Sequence, residues 1–233
     1  MNDRGDFRNE ADRAVILKLA AQMAALHPGR SEPAGNSEPF IHRMAKLAGA
    51  DRQSWESQRR KATAAGVEGA TDLTYEELKQ LVERGDDSIG TPTPGHFFER
   101  EPQSVTEVHN LLLRRDWLVA KAAPGSGGFI TSDHPVILSW NDKEMERGIY
   151  PPGFGLRGTS VFFPISKDLV MRGRFDGRVG TLELPVDMVA GIDSRTIFHA
   201  GQRVYAESDQ VRFLDRNLLL RYGQDLLPEL MQS

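Results

Sequence analysis

Near Trp117 the apolar residues of this chain change their rhythm, and that change constrains the fold more than any other feature. Before it they recur at intervals of three and four, the spacing that lines up side chains on one helix face. From Trp117 to Leu184 they stand in short unbroken runs, closed by glycine, proline or charged residues, which is the pattern of strands. Helical spacing returns after Pro185. This order predicts an α+β fold with N-terminal helices, a central small antiparallel sheet and C-terminal helices. The 233 residues suit a single domain over 1–233, helical to about residue 115, sheet over about 116–184 and helical again over about 185–233.

The first helix is expected over 9–26. Asn9 can cap it, Glu10 and Asp12 suit its positive start, and His27-Pro28-Gly29 ends it. Ile16, Leu19, Ala20, Met23 and Leu26 make its inward stripe. A polar loop over 31–39 leads to a helix over 39–48, with Phe40, Ile41, Met44 and Leu47 inward. Asp51 can cap a continuation through Trp55 to about Ala65, on which Arg59-Arg60-Lys61 reads as a solvated face. Thr74-Tyr75-Glu76-Glu77 has the form of a capping box, hydroxyl at the cap and carboxylate three residues on. It opens a helix to about Arg84 with Leu78, Leu81 and Val82 buried, and a loop over 85–95 follows. The next helix spans 104–115 with Val105, Val108 and Leu112 on one face, and His109 on that stripe reads as a core or interface histidine.

Trp117-Leu118-Val119-Ala120 and Phe129-Ile130-Thr131 flank the turn Pro124-Gly125-Ser126-Gly127-Gly128, the pattern of a hairpin. Those glycines do not make a phosphate loop, because no Gly-Lys-Ser/Thr and no helix follows them. Val136-Ile137-Leu138, Val161-Phe162-Phe163, Leu169-Val170-Met171 and Thr181-Leu182-Glu183-Leu184 are further strands. A helix from near Pro185 to about Tyr205 carries Val186, Val189, Ala190, Ile197, Ala200 and Val204 at helical spacing, with Gly191 and Gly201 inside it as weak points or close-packing sites. A last short helix contains Phe213 to Leu220.

A net charge of −4 argues against an extended basic surface for nucleic acid. The absence of cysteine removes disulfides, thiolate metal sites and cysteine nucleophiles, and suits a reducing cytoplasm. The start Met1–Asp6 is polar with both charge signs, unlike a signal peptide. No run approaches the roughly 20 apolar residues of a membrane helix. A cytoplasmic protein with no membrane partner is therefore expected.

Chemistry gathers at Ser132-Asp133-His134-Pro135, where an apolar strand runs into acid, hydroxyl and imidazole groups. Asp133 can serve as a general base, a metal ligand or the residue that orients a histidine. It can equally cap exposed backbone N–H groups in a structural turn. Ser132 is a weaker candidate: neighbouring strand residues face opposite ways, and no Gly-X-Ser-X-Gly elbow is present. His134 precedes proline and stays extended, which favours a surface or turn histidine. The histidines at 27, 42, 96, 109 and 199 show no His-x-x-x-His or His-Glu-x-x-His pairing, so a zinc protease is unsupported. Asp142, Glu144 and Glu146 alternate with other residues and read as a solvated loop. The sequence assigns neither a cofactor nor a metal.

Around Phe129-Ile130-Thr131-Ser132-Asp133-His134-Pro135-Val136 the chain resembles a mostly bacterial domain family of unknown function with two signature motifs, HYVP and SDNP. Ser132, Asp133 and Pro135 match the second motif, and His134 stands where asparagine is usual. That substitution makes His134 a poor essential acid or base, since asparagine transfers no proton at neutral pH. Trp117, the Phe163-Pro164-Ile165-Ser166 element, the helix ending at Val204-Tyr205-Ala206 and the opening helix from Val15 to Arg30 are similar to the family's flanking elements. No HYVP occurs in this chain. The resemblance places that motif before the first helix, so either the chain is truncated, its start is misassigned or it has lost half of the signature; if that histidine and Asp133 form one site, the site here is incomplete.

Two functional classes follow. One is a hydrolase-like enzyme, acting on nucleic acid or another phosphate ester, with an Asp133-centred site. The other is a non-catalytic interaction or structural module in which Ser132-Asp133-His134-Pro135 shapes a turn.

Overall fold

The computed structural model describes residues 10–25, 52–67, 74–84 and 104–226, apart from 147, 149 and 216. The expected helix over 39–48, the loops over 31–39 and 85–95, and the side chains of Leu78, Leu81 and Val82 lie outside the described residues. The chain forms two compact units, one of residues 1–35, 104–137 and 161–233, the other of residues 36–103 and 138–160.

In the first unit, α1 (Glu10–Ala25) packs on α4 (Val105–Leu113). Leu17, Ala20 and Ala21 are the buried residues of α1, whereas Leu19 and Met23, expected inward, are 45% and 42% exposed. The contact face is turned by about a residue because small alanines allow close helix approach. Helix α4 begins at a capping box: Ser104 Oγ accepts the Glu107 N–H at 3.2 Å, and Glu107 Oε2 accepts the Ser104 N–H at 3.1 Å. Val108 and Leu112 are buried as expected, and the Trp117 indole N–H donates to the Leu112 carbonyl at 2.8 Å.

The strands are β1 (Asp116–Ala122), β2 (Thr131–Ser132), β3 (Ile137–Trp140), β4 (Thr159–Ser166), β5 (Leu169–Arg174) and β6 (Gly180–Leu184). The main sheet runs β3-β4-β5-β1-β6. It is mixed, which corrects the expected antiparallel sheet: β1 pairs antiparallel with β5 but parallel with β6. The chain reverses between β5 and β6, yet the two strands lie on opposite sides of β1, so one of them must run parallel to it. Apolar runs reveal strands without revealing neighbours. Ala120, Phe162, Val170 and Leu184 pack with Val189 and Ile192 of helix α6 (Val186–His199), together with Phe129 and Ile137.

The expected helix-sheet-helix order is also overturned. Helix α6 stops at His199, and Val204–Tyr205 is strand β7, paired antiparallel with β2. The 117–120 and 129–131 segments are therefore not partners in a hairpin. Residues Phe213 to Leu220 are not helical; β8 (Arg212–Leu214) and β9 (Leu220–Tyr222) form an antiparallel pair. Asp215 decides this, because its Oδ1 accepts the N–H groups of Asn217 at 2.8 Å and Leu219 at 2.9 Å and so closes a turn.

In the second unit, helices α2 (Arg52–Ala65) and α3 (Tyr75–Arg84) follow the expected spans. The Thr74–Glu77 box is formed, with Glu77 Oε2 accepting the Thr74 N–H at 2.8 Å. Trp55, Ala62, Val67, Trp140, Met145 and Tyr150 make its core. The acidic run is not a free loop: Lys61 Nζ meets Asp142 at 2.8 Å and Glu144 at 2.6 Å, and α5 (Lys143–Glu146) covers part of it. Glu146 accepts the Trp140 backbone N–H at 2.7 Å. Among the described residues no helix is long and apolar enough to cross a membrane.

Candidate functional site

The segment from Gly127 to His134 is threaded through the first unit by backbone contacts. Gly127 and Gly128 have φ of +85° and +81°, and a Cβ on Gly127 would lie 2.1 Å from the Gln210 carbonyl oxygen. Only glycine fits there, for conformation and for space. The Phe129 N–H donates to the Lys167 carbonyl at 2.6 Å, and the Ile130 N–H donates to Asp193 Oδ1 of α6 at 3.1 Å. Thr131 and Ser132 then pair with Tyr205 and Val204.

The turn follows directly. Ser132 is buried, and its Oγ accepts the His134 N–H at 3.1 Å, a serine turn of the expected kind. The Asp133 N–H donates to the Arg203 carbonyl at 3.1 Å. Its carboxylate faces the same segment: Oδ1 accepts the Gly201 N–H at 3.0 Å and Oδ2 the Gln202 N–H at 2.8 Å. Burial works to raise the Asp133 pKa, but the amides of Gln202, Gly201 and Arg203, with the His134 charge, hold it below the usual carboxylate range. His134 and Asp133 are both half-buried. A Cβ on Gly201 would lie 2.7 Å from His134 Nε2 and 3.3 Å from Asp133 Oδ2, so Gly201 makes room for both side chains. Gly191 has no such role, since the nearest atom to a Cβ there is 3.9 Å away.

The structure brings two further ionisable groups into this region that the sequence reading did not select. Asp193 is fully buried on α6; burial pushes its pKa up to about 8, against the opposing Ile130 N–H, and among the described residues Oδ2 has no hydrogen-bond partner. It lies four residues after Val189 and four before Ile197, on the apolar stripe, and an acid on such a stripe is the signal that could have found it. His199, at the end of the same helix, has its pKa pushed down to about 4 by burial and by the Arg195 and His134 charges. Ser132, Asp133, His134 and His199 thus share one end of α6. Among the described residues no group of three or more His, Asp or Glu is placed to hold a metal ion.

A family model described as a protein of unknown function, DUF4238, matches residues 4–210, and the chain belongs to that family. No curated protein and no solved structure matches it.

Proposed function

We propose that the Ser132-Asp133-His134-Pro135 element is a structural clamp within a non-catalytic interaction module. The observation that carries this reading is the pair of hydrogen bonds from Gly201 and Gln202 to the two oxygens of Asp133, at 3.0 and 2.8 Å. A carboxylate engaged on both oxygens and held below its ordinary pKa is a poor proton acceptor, because a general base works best with a pKa near the operating pH. Ser132 supports the same reading, since its hydroxyl caps the turn and is buried away from any substrate.

The second reading, a hydrolase-like enzyme centred on Asp133, draws on one observation. The Asp133 carboxylate feels the His134 charge, and both residues retain solvent access. The change Asp133→Asn separates the two. The clamp reading expects a lower melting temperature; the hydrolase reading expects an unchanged one and loss of hydrolysis of bis(p-nitrophenyl) phosphate by the whole chain. An unchanged melting temperature overturns the clamp.

A further inference from the structure

We propose that the tip of the β8–β9 hairpin, Leu218-Leu219-Leu220, docks into the headgroup boundary of an anionic lipid bilayer. The three leucines are 70%, 53% and 41% exposed, and every residue from Asn217 to Tyr222 is exposed. Single exposed leucines are ordinary on a protein surface, but three in succession at one turn are not. Leu218 also has a φ of +62°, and no other described residue except glycine has a positive φ. A leucine in that region costs free energy that glycine or asparagine would largely avoid. The turn is nonetheless fixed. Asp215 Oδ1 accepts the N–H groups of Asn217 and Leu219, the Asp215 N–H donates to the Leu219 carbonyl at 2.9 Å, and the Leu218 N–H donates to the Asp215 carbonyl at 2.9 Å. The fold thus holds a strained apolar tip in one shape, which lowers the ordering cost of binding.

Charge selects the occupant. Between residues 212 and 222 the sequence sets Arg212, Arg216 and Arg221 against the single acid Asp215, in a chain whose net charge is −4. That acid turns inward: its side chain is 2% exposed, and Oδ2 meets Arg221 Nε at 2.9 Å. Arg212 and Tyr222 are register partners, and the Arg212 Cζ lies 5.2 Å from the Tyr222 ring centroid. Leucines at the tip with a tyrosine and an arginine behind them reproduce the layering of an interfacial anchor, apolar groups at the acyl boundary and amphipathic and cationic groups at headgroup level. Anionic headgroups attract such arginines at short range. A second copy fits less well, because tip-to-tip pairing would bury only a few residues a side, against roughly 20–30 in a stable interface. A tip resting in the headgroup boundary needs no membrane-crossing helix, and the described residues contain none.

The probe is a large unilamellar vesicle of phosphatidylcholine and phosphatidylserine in equal parts, with pure phosphatidylcholine vesicles beside it. Cosedimentation of the full chain should show saturable binding to the mixed vesicles and weaker binding to the neutral ones, the difference closing as salt rises. Leu218→Asn keeps the left-handed turn and removes the apolar side chain. It should weaken vesicle binding about tenfold while holding the melting temperature at or above that of the wild type. Leu219→Ser should weaken binding to a similar degree. A leucine that serves packing would instead lower the melting temperature when replaced, and that result for Leu218→Asn overturns the proposal. So does absence of binding to both vesicles, or unchanged binding in both variants. A chain that ignores vesicles but self-associates, with both variants monomeric, overturns it in favour of a second copy. The tip is independent of the Asp133 clamp, which is tested by a different variant, so each can fail alone.

Discussion

Asp133 Oδ1 accepts the backbone N–H of Gly201 at 3.0 Å, across 68 residues of sequence, and so ties the turn after β2 to the chain just past the end of α6. Its second oxygen does the same for Gln202 at 2.8 Å. An aspartate can accept on both sides at once, and few other residues can.

Asp133→Asn replaces one acceptor by an NH2 group that faces a backbone N–H. The expected loss is about 1–3 kcal/mol, from one broken hydrogen bond and one donor left facing another. Because the folded pKa of Asp133 is depressed, its contribution is present above the unfolded value of 3.8 and fades as pH falls below it. Chemical denaturation from pH 7 to pH 3 should show a shallower acid loss in the variant. Parallel curves for the two proteins contradict the clamp.

Gly201→Ala should push the His134 ring aside, since the added Cβ would sit 2.7 Å from Nε2. The moving atom is the tip of a side chain, so the cost is modest, about 1 kcal/mol. Adding His134→Ala should recover most of it. A double-mutant cycle checks this; additive losses would show that the two positions do not meet.

Gly127→Ala should be far worse. The new Cβ meets the Gln210 carbonyl at 2.1 Å, a backbone atom that cannot swing away, at a φ of +85°. A loss of roughly 3 kcal/mol or more is expected from overpacking and strain together. Circular dichroism melts and soluble yield measure it, and a near-wild-type protein would contradict this packing.

Asp193 and His199 set opposite slopes of stability against pH. Folded Asp193 keeps its proton up to about pH 8 where the unfolded residue loses it near 3.8, so its effect lowers stability as pH rises through that window. Folded His199 loses its proton near pH 4 where the unfolded residue holds it to 6.5, so its effect raises stability as pH rises between those values. The two contributions oppose each other up to pH 6.5. From there to pH 8 only Asp193 acts, and stability should fall by about 2 kcal/mol. Asp193→Asn mimics the protonated acid and should abolish that fall. A variant with the wild-type slope would show that Asp193 is ionised at neutral pH.

Local signals were legible. The capping box at Thr74, the helix from Arg52 to Ala65 and the strands around Val161 and Leu169 were all readable, because each depends on residues near one another in sequence. The end of α6 was not. Val204 continues its helical spacing, yet it pairs with Ser132 as a strand, since a distant partner offered backbone hydrogen bonds that outweigh local propensity. The region from Phe213 to Leu220 failed in the same way, through the turn that Asp215 closes.

By itself the sequence determined where apolar stripes and runs lie, where chains must turn, and that Ser132 and Asp133 stand at the end of a strand. Only the tertiary structure decided which strands neighbour each other, that β6 runs parallel to β1, and that Asp133 binds Gly201 and Gln202. It also decided that Asp193, whose place on the apolar stripe of α6 only hinted at burial, is fully buried. The reason is physical. Periodicity and capping are encoded within a turn or two of chain, whereas burial, pairing and the pKa of a carboxyl depend on which distant segments exclude water from it.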